Sequence, residues 1–203
     1  MDLFFKRVKP NEYDSVFNEI VNCGILHAKM LPEYVVRPQI LPSVHNLISD
    51  VYKIQRLSSS MVALVIIENI RDEDTGIVSA YRPVVILRSA DLSVDDVRLL
   101  ISCILDVVVL HSDKTLRTMS HSESKFHLTL WSVLGFKYSE FIPLAHVIRK
   151  FGYSPINPSA EALSMTLDCS VEEQYDILRD ISFSKTLCDT SGLVNSLLDV
   201  IYE

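Results

Sequence analysis

The side chains best able to ligate a metal or act as nucleophile and base are six histidines and four cysteines. His111, His121 and His127 crowd together in sequence. Two histidines bind one metal from a helix face when they stand at i and i+4. His121 and His127 are six apart, and no other pair has the spacing. His121-Ser122-Glu123 sets three triad residue types side by side. Chain neighbours cannot converge on one reacting centre as nucleophile, base and orienting acid must, and no glycine-flanked nucleophile turn is present. No triad is expected. His111 falls at the end of a helical stretch, where the dipole favours a cation, and His27 reads the same way. Cys23, Cys103, Cys169 and Cys188 contain no CxxC pair. Zinc needs such local spacing, so no metal site is expected. Cys23 and Cys103 read as small core residues in a reducing compartment. The acidic turn from Arg71 to Gly76 lacks the twelve-residue ligand pattern of a calcium loop and reads as solvated.

Composition excludes several classes of partner. The net charge is −7, and the densest basic runs are the pairs Lys6-Arg7 and Arg149-Lys150. Displacing counterions from phosphates needs a basic face, so nucleic acid is not an expected partner. The longest apolar run, Leu99 to Leu110, is broken by Ser102 and Asp106 and is too short to span a bilayer. The first residues lack the basic-then-apolar order of a signal peptide, so secretion by one is not expected and a cytoplasmic location is. At 48% hydrophobic and 22% charged residues, the chain can build a packed core.

The elements that must position any site follow from periodicity and punctuation. Residues 3–8 read as a strand and 11–30 as a helix, with Pro32, Pro38 and Pro42 forming a stiff connector. Ser43 caps a helix from Val44 to Gln55. Met61 to Asn69 is apolar on both faces and reads as a central strand. Ile77 to Leu87 returns, with Pro83 marking an irregularity or a sheet edge. Ser93 caps a buried helix from Val94 to Leu110, with Asp95 and Asp96 at its positive end. A strand at 115–119 follows, then a helix capped by Ser122 in which Phe126, Leu130 and Leu134 share a face and Gly135 supplies the stop. Phe136 to Ile142 is another strand, with His146 to Tyr153 pairing beside it. Past the Pro155–Pro158 break, a Ser170–Glu173 capping box opens a helix to Ile181, and Gly192 to Tyr202 is one more.

The order strand–helix–helix–strand–strand–helix–strand–helix–strand, with Leu134-Gly135-Phe136 closing the second core helix, resembles the GNAT superfamily of acyl-CoA-dependent N-acyltransferases over residues 3–153. The resemblance implies an α/β (α+β) fold, with a mixed, mostly antiparallel sheet flanked by helices. Residues 1–153 would form that domain and 154–203 a small helical extension, packed on it or on a neighbour. In such enzymes the cofactor pyrophosphate rests on backbone amides at the start of the helix after the central strand, which calls for glycines. Registering Leu99-Leu100 on the family's leucines puts Leu92, Val94 and Asp96 where glycines belong, and Asp91 where a basic or amide residue is expected. Asp91, Asp95 and Asp96 would then face the pyrophosphate. Unit charges about 4 Å apart repel by about 1 kcal/mol in water and by more near a protein surface. The tyrosine that protonates the leaving thiolate in many members is replaced by Trp131, and the cofactor-orienting asparagine falls near Ser124. The resemblance also puts Glu68, at the end of the central strand, near the usual place of a general base for an amine.

The degenerate cofactor loop leads to the expectation of a non-catalytic GNAT-like scaffold with no cofactor. It would act as a structural or protein-interaction component contacting other protein subunits, in a homo- or hetero-oligomer. Analogy with degraded members of this superfamily inside short-tailed phages suggests a virion. The runner-up is a divergent acetyl-CoA-dependent N-acetyltransferase with Glu68 or His111 as base and Tyr138 or water as acid. A small-molecule sensor using the cleft between splayed strands is a third reading.

Overall fold

Met61 to Ile67 is apolar at every position, a run suited to a strand covered on both faces. In the computed structural model none of these residues is more than 1% exposed. The structure describes residues 3–23, 25–26, 30–37, 44–88, 92–121, 124–142, 153–155, 162–167 and 169–187. Around that run, β5 (Met61–Arg71), lie β1 (Leu3–Arg7), α1 (Tyr13–Asn22), β2 (Ile25–Leu26), β3 (Met30–Pro32), α2 (Glu33–Val36), α3 (Val44–Leu47) and β4 (Ile48–Arg56). After it come β6 (Val78–Arg88), α4 (Val94–Val109), β7 (Thr115–His121), α5 (Lys125–Val133), β8 (Lys137–Ile142), β9 (Tyr153–Pro155), β10 (Ala162–Thr166) and α6 (Val171–Leu187).

The main sheet has the order β1-β4-β5-β6-β7-β10-β8, with β2 added beside β6 and a separate β3–β9 pair. In the main sheet only the β6–β7 pair is parallel. One face carries α4, α5 and α6 over a core that includes Leu100, Ile104, Phe126 and Trp131. The other carries α1 and α2 over Phe17, Ile20, Tyr34 and Val35. The α/β fold with a mixed, mostly antiparallel sheet between helices is therefore as expected.

Several expected elements differ. The helix expected from Val44 to Gln55 lasts one turn and then becomes β4. Val44, Leu47, Ile48 and Val51 fall at i, i+3, i+4 and i+7, the spacing of a helix stripe. That spacing results from a register shift between Ile48 and Asp50. Beyond it Tyr52 and Ile54 face one core while Val51 faces the other. The helix expected to reach Met30 ends at Asn22, so Cys23 is exposed rather than core, whereas Cys103 is buried. Beyond position 153, β10 joins the main sheet by pairing with both β7 and β8. Its partners lie about 45 and about 25 residues back along the chain, a separation local pattern does not reveal.

The Ser170–Glu173 capping box is present, with Glu173 N donating to Ser170 Oγ at 3.2 Å and Ser170 N to Glu173 Oε2 at 2.8 Å. The helix expected at 192–202, the strand at 146–153 for all but its last residue, and the cap at Ser122 lie outside the described residues. Within them, α5 begins after Ser124, whose side chain makes no capping bond. No helix among the described residues is long and apolar enough to cross a membrane.

Candidate functional site

The first turn of a helix exposes amide donors at the positive end of its dipole, and an anion there finds both. At α4 the anion is the chain's own. Ser93 Oγ accepts from Asp96 N at 3.1 Å, and Asp96 Oδ2 accepts from Ser93 N at 3.1 Å and from Ser93 Oγ at 3.0 Å. Arg56, at the end of β4, donates to the same Oδ2 through Nη2 at 3.1 Å. Asp96 is 2% exposed. Burial alone would raise its carboxyl pKa. The Ser93 amide and hydroxyl and the Arg56 charge outweigh burial and hold it below the ordinary carboxylate value.

Of the other positions expected at this loop, Leu92 is buried in the core and Val94 is exposed. Asp95 points to solvent and pairs with Arg98 at 3.5 Å. Asp91 lies outside the described residues. Of the expected carboxylates, Asp96 is thus the one shown turned into the site.

Beside this turn, β6 and β7 pair only at Ala80↔Thr115 and Tyr81↔Leu116, then separate. Parting strands leave the edge of β6 with unpaired backbone groups, and the chain covers several of them itself. Thr118 Oγ1 donates to Pro83 O at 2.9 Å. His127 Nε2 donates to Val85 O at 2.8 Å, and its Nδ1 hydrogen-bonds with the Ser124 hydroxyl at 2.7 Å. β2 pairs with Leu87 and Arg88 farther along. Pro83 therefore sits in a central strand, not at a sheet edge. It faces the gap, where its missing N–H costs no ladder bond.

Trp131 fills a structural role. Phe136 N donates to Trp131 O at 3.0 Å and Gly135 N to Ser132 O at 3.1 Å, the paired bonds of a Schellman cap. Gly135 has φ +84°, which favours glycine, and a Cβ there would stand 3.4 Å from Ile177. The indole packs against Phe136 with ring centroids 5.3 Å apart, the apolar contact that accompanies such a cap. An aromatic at this position is explained by packing alone.

Glu68 is neither solvent-facing nor a free base. It is 5% exposed, accepts from the Tyr34 hydroxyl, and pairs with Arg82 Nη1 at 3.3 Å directly across the β5–β6 ladder. Tyr138 is 60% exposed on β8. Three strands lie between β8 and β5, so four spacings of about 4.8 Å put them about 19 Å apart. The structure does not bring the two together.

His111 sits beyond the far end of α4, but buried rather than as an exposed dipole-stabilised cation. Its Nε2 hydrogen-bonds with the Tyr52 hydroxyl at 3.1 Å and lies 3.5 Å from Asp50, which Arg7 also contacts. Burial holds its pKa below the ordinary histidine value despite the pull of Asp50. His121 lies on β7, and His27, Ser122 and Glu123 fall outside the described residues. No described cluster of His, Cys, Asp and Glu could hold a metal. Sequence reading missed the Asp96–Arg56 pair and the His127 bridge. The Ser93–Asp96 spacing was a visible signal for the first; nothing local pointed to the second.

No protein-family model matches the sequence, and no curated protein shows significant similarity to it. Solved structures do match in shape. Spermidine N-acetyltransferase from Vibrio cholerae, in complex with CoA and spermine, superposes with a TM-score of 0.55 at 12% identity, covering 85% of this chain and 97% of its own. A Bacillus subtilis acetyltransferase in complex with CoA gives 0.52 and 12%, covering 83% and 100%. The ribosomal-protein-alanine N-acetyltransferase of Brucella melitensis gives 0.53 and 12%, covering 80% and 98%. Likeness at this identity establishes the fold, which is that of the GNAT acetyltransferases.

Proposed function

We propose that this chain is a non-catalytic protein built on the acetyltransferase fold, acting as a structural or protein-interaction component. The observation that carries the reading is Asp96, a carboxylate 2% exposed and held by Ser93 and Arg56 at the first turn of α4. An incoming pyrophosphate would meet a buried negative charge and would have to displace the only described carboxylate paired with Arg56 there. The Thr118 and His127 bridges to β6 support the same reading, because they occupy backbone acceptors that a ligand entering between the strands would otherwise use. A fold by itself does not carry an activity.

The second reading is a divergent acetyl-CoA-dependent N-acetyltransferase. The comparisons favour it over a scaffold role, since the three neighbours are N-acetyltransferases or acetyltransferases and two hold CoA. They lend nothing to a place in a virion, which rests on analogy alone. Within that second reading Glu68 would have to leave Tyr34 and Arg82 before acting as base, and water would serve as acid, because Tyr138 is remote. Incubation with acetyl-CoA and a panel of polyamines and peptide amines, read by released thiol, separates the two. The scaffold reading predicts no release above the protein-free rate. Release proportional to protein concentration would put the acetyltransferase first.

A further inference from the structure

Where α4 ends, an open groove of about 550 Å³ runs between its last turn and the first two turns of α6. Its apolar wall is Val109, Leu110, Val171 and Tyr175, and its rim is Asp113, Glu172 and Asp176. Leu110 is 60% exposed and Tyr175 46%. No lysine or arginine lines the groove. Asp176 pairs with Arg179 at 3.3 Å, and among the described residues no cation pairs with Asp113 or Glu172. One side chain ties the two walls together. Gln174, fully buried, accepts from Leu116 N at 2.9 Å and donates to Lys114 O at 2.8 Å and Ser112 O at 3.2 Å, tying α6 to the turn after α4.

We propose that this groove is the docking surface of the protein, and that its occupant is an amphipathic helix of a partner protein carrying leucine-type residues on one face and lysine or arginine beside them. The open shape suits a helix laid between two helices better than a small molecule, which needs most of its surface enclosed. The acidic rim selects a cationic segment and repels nucleic acid and anionic lipid. A second copy is a poor occupant, because the chain carries a net charge of −7 and its basic runs are no longer than pairs. The proposal rests on the interaction reading of the preceding subsection, but it is measured by peptide binding rather than by cofactor binding, so either can fail without the other.

The test is fluorescence anisotropy of the full chain with a labelled amphipathic peptide having leucines at i, i+3, i+4 and i+7 and flanking lysines, against the same peptide with glutamates for lysines. The lysine peptide is expected to bind in the micromolar range and the glutamate peptide at least about tenfold more weakly. Asp113→Lys with Glu172→Lys is expected to weaken the lysine peptide by about tenfold or more, as is Leu110→Ser with Tyr175→Ser. These side chains are exposed, so the variants fold, and circular dichroism verifies it. Glu73→Lys with Asp74→Lys, in the remote acidic turn, is the control for general attraction and is expected to leave peptide binding unchanged. Equal loss in that control, equal binding of the two peptides, or no binding at millimolar peptide would each overturn the proposal. So would a self-associating chain whose dimer is broken by Leu110→Ser.

Discussion

The two ends of α4, about 24 Å apart at 1.5 Å per residue, are treated in opposite ways. At the N-terminal end, where the fold offers an anion site, the chain supplies its own anion: Asp96, buried and held by Ser93 and Arg56. At the C-terminal end, where an exposed cation would suit the dipole, His111 is withdrawn into the core, and an apolar groove rimmed by carboxylates lies open beside it. Under the proposed scaffold reading, two or three side chains are enough to fill the start of this helix, and the opposite end is left to present a surface to a partner.

The comparison can be broken from either side. The largest expected effect is at the open end. Gln174→Leu leaves the Leu116 amide and the Ser112 and Lys114 carbonyls without their partner, and should cost about 3 kcal/mol in urea unfolding. It should also abolish peptide binding at the groove, because α6 loses its anchor.

At the other end, Asp96→Ala removes the bonds from Ser93 N and Oγ to the carboxylate, the reciprocal half of the capping box, and leaves Arg56 without this carboxylate, an expected loss of about 2 kcal/mol. The pH dependence has a defined sign. The folded carboxyl titrates below its unfolded value. Its contribution is therefore complete above that unfolded value, about pH 4, and is lost as pH falls through the lower folded value. Asp96→Asn should flatten that acid limb of the stability curve.

His111 gives a smaller, separate signal. Its folded pKa is depressed by burial, so stability is complete above about pH 6.5 and declines as pH falls toward the folded value. The slope is at most about 1.4 kcal/mol per pH unit. His111→Gln should remove that slope while leaving the Asp96 limb in place. The smallest effect belongs to Leu110→Ser, expected to shift stability by no more than about 0.5 kcal/mol; a large loss would mean that Leu110 is core and not recognition surface.

Much of the architecture was legible because it rests on local pattern. The apolar run of β5, the Ser93 cap of α4, the glycine stop at 135 and the Ser170–Glu173 box each need only a few neighbouring residues. Features that depend on distant pairing were not. β4 was hidden by a register shift that spaces its apolar residues like a helix stripe, and β10 by the length of chain between it and its partners. The site divides the same way. Carboxylates near the start of α4 were visible in sequence, but the pairing that holds Asp96 inward involves Arg56, forty residues earlier. The burial of Glu68 by Tyr34 and Arg82, and the bridge from His127 to the β6 backbone, likewise depend on tertiary contacts.

The most direct test of a closed cofactor site is calorimetric titration of the full chain with acetyl-CoA, at concentrations that detect millimolar affinity. The account predicts no binding heat for the native chain. A micromolar dissociation constant with one site per chain would contradict it, because it would show that Asp96 does not keep the start of α4 from receiving the cofactor.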